Sequence, residues 1–210
     1  MKKLSFLLTF LATFLFCSLS HASINGVGFD QGNGGVNCYY LYDTSAPDVI
    51  NVEGSQNGTE GLMTGWVTTD TPADPTLTLN NSIDNSGSFA WTSYIVDVFM
   101  NVNFSFSGIS VANPLNWAGG VSIAVHQVAP FVQQWTGEIV YYANGGPPVN
   151  TIPLDPNNTL DFTYKVTFSG LQNYSIQEQV TPVPEPATLS LLFGGILVAG
   201  LGLLRRRQIV

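Results

Sequence analysis

Basic residues are almost missing from this 210-residue chain, and the few present sit at its ends. Of six Lys and Arg, Lys2 and Lys3 open the sequence, Arg205, Arg206 and Arg207 close it, and Lys165 stands alone between them. Thirteen carboxylates from Asp30 to Glu178 face that one lysine, so the middle of the chain carries about −12 with His126 neutral. A surface this negative repels nucleic-acid phosphates and anionic lipid, which argues against both as direct partners. It suits solubility, cations or neutral glycans. Cysteine and histidine are as scarce, with two of each, Cys17, Cys38, His21 and His126. Any Ser-His-Asp or Cys-His centre in the middle of the chain would have to use His126, and no nucleophile elbow is present. Transition-metal sites built from several His and Cys are excluded, apart from the pair Cys38 and His126. Helix-period segments are also lacking away from the two ends.

The front end has the layout of an export signal. Lys2-Lys3 precede an apolar stretch from Leu4 to Leu19, and Ser20-His21-Ala22 follow. Small residues three and one positions before a cut are what signal peptidase accepts, so the expected cleavage lies between Ala22 and Ser23. Phe14-Leu15-Phe16 ahead of Cys17 are too bulky for a lipoprotein signal. Cys17 leaves with residues 1–22, and Cys38 alone cannot bridge internally, so stability must come from packing. Its surroundings, Val36-Asn37-Cys38-Tyr39-Tyr40-Leu41-Tyr42, predict a strand with a buried, inert thiol.

The back end is an apolar run over residues 187–204, preceded by Val183-Pro184-Glu185-Pro186 and followed by Arg205-Arg206-Arg207. As a helix, the run spans roughly 27 Å, close to the hydrocarbon thickness of a bilayer. Arginines at 205–207 hold the tail (205–210) on the cytoplasmic side and set the orientation. Gly195 and Ala199 form a small-xxx-small pair suited to another membrane helix. Residues 181–186 predict a short Pro-rich spacer lifting the body off the membrane.

Together, the Pro-Glu-Pro motif, single hydrophobic helix and basic tail resemble the PEP-CTERM sorting signal of Gram-negative bacteria. The resemblance covers about residues 183–207. It implies recognition of Val183, Pro184, Glu185 and Pro186 by an exosortase, a membrane-embedded cysteine peptidase. It further implies at least transient anchoring in the inner membrane, followed by a cell-surface or extracellular-matrix role linked to exopolysaccharide and biofilm.

Residues 23–180 remain as one body, long enough to bury about 70% of its unfolded surface in a single core. Asn, Gly, Ser, Thr and aromatics dominate, which favours strands over helices. Val96, Val98, Met100, Val102, Phe104 and Phe106 alternate with polar neighbours, as do Leu160, Phe162, Tyr164, Val166 and Phe168. Further strands are expected at 36–42, 62–69, 76–80, 89–95, 121–128, 134–142 and 174–180. Turn clusters separate them at 32–35, 72–75, 113–114, 145–148 and 155–158. The prediction is an all-β fold, a single antiparallel β-sandwich of jelly-roll or immunoglobulin-like type, flanked by the signal peptide and the transmembrane helix.

Chemistry is sparse. His126 falls on the solvent side of its strand, as an ordinary surface histidine. A glycoside hydrolase needs two carboxyls, one held protonated in an apolar pocket, and Glu53, Glu60 and Glu138 are the candidates. Calcium would find oxygen ligands at Asp70, Asp74, Asp155, Asn157 and Asn158, but no regular Asp-x-Asp-x-Asp loop exists, so no cofactor is assigned. Trp66, Trp91, Trp117 and Trp135, with Tyr39, Tyr40, Tyr141 and Tyr142, could stack sugars or fill the core. Phe99 lies on the polar side of its strand, and Tyr141 and Tyr142 cannot both point inward. The expected function is a non-enzymatic surface or matrix protein; alternatives are a carbohydrate-binding module, with or without calcium, and a secreted glycoside hydrolase.

Overall fold

The computed structural model describes residues 23–29, 32–42, 46, 48–71, 75–129, 132–143, 152–168 and 170–185. Residues 1–22, Pro186 and residues 187–210 lie outside the described set, and with them the leader, the apolar run and the basic tail. Among the described residues no helix is long and apolar enough to cross a membrane.

The described residues fold as ten strands: β1 (Ile24–Phe29), β2 (Asn33–Tyr42), β3 (Val49–Thr69), β4 (Thr76–Asn85), β5 (Trp91–Met100), β6 (Phe104–Asn113), β7 (Trp117–Ala129), β8 (Val132–Ala143), β9 (Thr159–Phe168) and β10 (Asn173–Pro184). The all-β class follows from the alternation. In β4 the odd positions Leu77, Leu79, Asn81, Ile83 and Asn85 are buried, and in β9 the even ones from Leu160 to Phe168. The arrangement is one mixed sheet in the order β6-β9-β4-β3-β10-β5-β8-β7, with β1 and β2 also paired to β3. Its two end strands, β6 and β7, pack side by side without a hydrogen-bonded ladder, so the sheet nearly closes on itself. One pair departs from the antiparallel expectation, since β3 and β4 run parallel.

β3 organises this path. Its first part, Val49 to Gln56, pairs with β4, and its later part, Gly61 to Thr68, pairs with β10. β1 and β2 run antiparallel along its other side, β1 against residues 65–69 and β2 against residues 50–62. Between the parts lies a bulge at residues 57–60, with Gly58 at φ 95°. Buried positions are even before it (Ile50, Val52, Gln56) and odd after it (Met63, Val67, Thr69). An insertion that changes parity lets both parts of one strand face the same core. Gly34 and Gly35, expected in a turn, lie inside β2 opposite this bulge. A Cβ at Gly35 would sit 2.1 Å from Thr59 O, so the close approach of the two backbones requires glycine.

Other boundaries move as well. The eleven-residue alternation from 96 to 106 is cut at residues 101–103, where the chain leaves β5 and enters β6. Residues 181–184, read as spacer, continue β10 and pair with β5, Val183 opposite Ser93 and Pro184 opposite Trp91. Prolines are tolerated there because β10 has already lost β3 as a partner after Val180, leaving that side without a ladder.

The core is aromatic at its centre. Trp91 stacks on Tyr94 at 5.4 Å, and Phe162 lies 4.5 Å from Tyr141 and 5.6 Å from Tyr94, between ring centroids. Asn85, wholly buried, closes one end. Its Nδ2 donates to Phe89 O and Leu154 O, each at 3.0 Å, and its Oδ1 accepts from Gly87 N. Asn85→Ala removes those three bonds and takes the amide from Phe89 O and Gly87 N, while Leu154 O keeps its bond from Trp91 N at 2.9 Å. We expect a loss of about 2–3 kcal/mol, read as a lower urea midpoint at unchanged slope. A change under about 0.5 kcal/mol would show that the side chain is not what closes this end.

Candidate functional site

The carboxylates fall into three settings. Glu53, Asp84 and Asp161 lie on the outer face of β3, β4 and β9, where Glu53 contributes to the walls of two adjoining clefts, the larger of 360 Å³. That face is a ladder of short polar side chains: Ser82 Oγ donates to Asp161 Oδ1 at 2.6 Å, Thr159 Oγ1 to Asp84 Oδ1 at 2.6 Å, and Asn80 Nδ2 to Asn51 Oδ1 at 3.0 Å. No Trp or Tyr lines either cleft.

Glu138 stands directly across from Asp97 on the β5–β8 ladder. Partial burial, then Glu138 and then Glu60, raise the Asp97 carboxyl above its usual range. Two of the three glutamates proposed from sequence, Glu60 and Glu138, are thus gathered electrostatically around an aspartate that was not proposed. Glu53 lies apart from them, on the stretch of β3 that pairs with β4.

The third setting was missed. Glu178 is 1% exposed, at the middle of β10 between Met63 of β3 and Val98 of β5. Tyr174, Ile176 and Val180 share its parity, so alternation already placed it on the inward side. Its two oxygens, the Tyr164 hydroxyl, the Asn81 amide and Trp91 Nε1 find no hydrogen-bond partner among the described residues. Burial pushes the Glu178 carboxyl up to about 7, against a smaller downward pull from the neighbouring Tyr164 hydroxyl, which lies outside hydrogen-bond geometry. Burial first, and then the Glu178 charge, raise Tyr94, Tyr141 and Tyr164. A hydrolase uses a carboxyl of this kind, but this one is sealed beneath the sheet, away from any polymer in solvent.

The remaining residues separate readily. Cys38 is buried, its Sγ 3.0 Å from Met63 Sδ, and burial raises its thiol. His126 is exposed, with Nδ1 3.1 Å from Ala124 O. Of the residues offered for calcium, Asp70 is not brought to the loop that carries Asp155, Asn157 and Asn158. Asp70 Oδ1 accepts from Ser23 N at 2.8 Å near the Asn173 end of β10. Asp155 follows Leu154, which bridges Trp91 near the Pro184 end, and Asn157 N and Asn158 O bond the Asn85 backbone. Along a strand those ends are roughly 36 Å apart. Asp74 lies outside the described residues, among which no three His, Cys, Asp or Glu side chains are grouped to hold a metal ion.

Aromatics divide more usefully. Trp91, Trp117 and Tyr141 are buried, and Trp135 packs against the core. Tyr142 and Trp66 are exposed, and Phe99 is half-buried on the outer face that they share. The side chains of Tyr39 and Tyr40 lie outside the described set. Comparison with family models, curated proteins and solved structures returns no match.

Glu178 carries a pH prediction. A carboxyl whose folded pKa is raised keeps its proton in the native state while the unfolded chain has lost it. Its stabilising effect is complete below the unfolded value near 4.5 and fades as pH rises to about 7. The difference is about 3 kcal/mol. We expect urea midpoints of the wild type to fall between pH 4.5 and 8 by that equivalent more than those of Glu178→Gln. Parallel pH profiles in the two proteins would show that Glu178 does not titrate in the fold.

Proposed function

We propose that this chain is an exported, non-enzymatic protein of the cell surface or extracellular matrix, delivered by its two ends and functioning through its β body. The observation that carries the reading is how the body is fastened at both expected processing points. At the front, Ser23 N is 2.8 Å from Asp70 Oδ1, and Asp70 N donates to Ser23 O at 3.1 Å. Cleavage between Ala22 and Ser23 would turn that amide into an ammonium group beside a carboxylate, a charge-assisted bond in place of a neutral one. At the back, Val183 and Pro184 finish β10 and Glu185 N donates to Ala90 O at 3.0 Å. A body running from one processing point to the other supports a division of labour. The ends supply the route, through signal peptidase and an exosortase, and residues 23–185 supply the product.

In this reading residues 187–204 hold the chain in the inner membrane with Arg205, Arg206 and Arg207 inside. The Val183-Pro184-Glu185-Pro186 motif then marks the chain for the exosortase, and the body passes to the surface or matrix. We also read the path beyond the β3 bulge as two layers of a sandwich, β6-β9-β4 facing β10-β5-β8-β7.

Intact mass of the extracellular product, from a host with an exosortase, tests this. We expect a wild-type product starting at Ser23 and ending near Pro186, and its loss when Pro184, Glu185 and Pro186 are all changed to Ala. A product retaining residues 187–210 would make the anchor permanent. An unchanged product from the triple variant would remove the motif from the mechanism.

A further inference from the structure

Trp66 is 52% exposed, the most accessible tryptophan among the described residues. Its position is unusual beneath rather than above. It lies opposite Gly28 of β1, with Gly26 the next outward-facing neighbour. A Cβ built at Gly28 would come within 2.7 Å of Trp66 Nε1, 2.8 Å of Cε2 and 3.0 Å of Cζ2. One at Gly26 would come within 3.1 Å of Cζ3. Five-membered and six-membered ring atoms alike therefore rest on bare β1 backbone. Neither glycine has a positive φ, so space for the ring, not backbone freedom, is what glycine supplies.

A ring seated this way presents its opposite face to solvent as a fixed plate. Its surroundings are neutral and hydrogen-bonding: Ser175 directly across on β10, Gln177 one step along, and Thr68 on its own strand, bonded to Asn25 Oδ1 at 2.7 Å. Phe99, opposite Gln177, lies on the same face about 12 Å away by strand spacing. The single lysine of the body, Lys165, is on β9.

We propose that Trp66, on its glycine seat, is the stacking platform of a binding site for a neutral, pyranose-rich polysaccharide. Pyranose rings offer an apolar C–H face for an aromatic plate and equatorial hydroxyls for flanking Ser, Thr and Gln side chains. Charge selects among polymers: an anionic chain would approach a body near −12 with one lysine and meet repulsion that a neutral chain does not. The proposal deepens the matrix reading and rests on it for its setting, since export would bring this face to extracellular polysaccharide. The competing role for the ring is cover for the exposed backbone of edge strand β1.

Affinity electrophoresis separates the two. The full chain, in mild detergent, is run through gels containing hydroxyethylcellulose, galactomannan or dextran, with alginate as the anionic polymer. We expect retardation by at least one neutral polymer and none by alginate. Trp66→Ala should weaken it by about tenfold or more with its urea midpoint close to wild type, and Gly28→Val should match it by unseating the ring. No retardation in any neutral gel, stronger retardation by alginate, or wild-type retardation of a folded Trp66→Ala would overturn the proposal. Should both variants unfold, oxidation of the wild type by N-bromosuccinimide decides. Trp66 should react first and be protected severalfold by the retarding polymer, and absence of protection overturns the site. Failure here leaves the product masses above untouched, and an unexpected mass leaves this binding result untouched, so the two readings fail separately.

Discussion

Gln56 is wholly buried where β3 changes partners, and its amide meets three different parts of the sheet. Nε2 donates to Thr59 O at 2.7 Å inside the bulge and to Val180 O at 3.1 Å on β10, while Oε1 accepts from the Tyr94 hydroxyl of β5 at 2.6 Å. The bulge, the arrival of β10 and the inward aim of Tyr94 are thus tied to one side chain. Without the bulge, the parity of Met63 and Val67 would be reversed and β3 would present its polar positions to the core. An apolar residue at 56 could fill the volume but would leave the Tyr94 hydroxyl and two carbonyls without that amide. Each uncompensated buried group costs about 1–3 kcal/mol, comparable with the gain from burying one more aliphatic side chain.

Glu178 raises the opposite question, because as pH rises through about 7 its ionisation weakens the fold it sits in. Slipping β10 by one residue would return its carboxylate to water and bring Gln177 and Gln179 inward. The same slip would expose Tyr174, Ile176 and Val180, each now buried. Those apolar residues are worth about 2 kcal/mol apiece, against roughly 3 kcal/mol for the carboxyl, so the present register prevails. Bonds already made to Val180 O and along both flanking ladders reinforce that result. A buried acid at the centre of a strand is therefore carried by its neighbours rather than supporting them.

How much of this was legible in sequence follows from the same physics. Clean alternation with one wet face predicted β9, the shorter runs at 76–80, 134–142 and 174–180 marked half of β4 and most of β8 and β10, and Tyr141 and Tyr142 fell on opposite sides. β1 was not read because Gly26 and Gly28 interrupt it, and those glycines have meaning only beside Trp66, forty residues away. The first part of β3 was not read because Glu53, Gly54 and Gln56 dilute its apolar stripe and the bulge then shifts the parity. Pro182 and Pro184 looked like breakers, since local sequence cannot tell that β10 has lost one neighbour there. Glu178 was the readable omission, as an acid on the apolar parity of a predicted strand. Near-closure of the sheet and the parallel β3–β4 pair depend on partners distant in sequence, which periodicity does not encode.

Two stretches of the sheet's outer surface then differ in chemistry and in position. One carries Glu53, Asp84 and Asp161 among hydroxyls and amides, satisfied largely by each other. The other carries Trp66, Phe99 and Tyr142, with Ser175 and Gln177 between the first two and the carboxylates Asp97 and Glu138 farther along β5 and β8. Ser175, opposite Trp66, is nine residues from Pro184 along β10, so the platform stands about 30 Å from the point where the chain leaves the sheet. An attachment that begins after Glu185 would hold the Pro184 end of the body close to its support and leave the Trp66 end farther out. Polymer could then reach the aromatic plate without the body first being released. On the proposed reading, binding and processing need no fixed order, because Ser175, the β10 partner of Trp66, and Pro184 lie toward opposite ends of that strand.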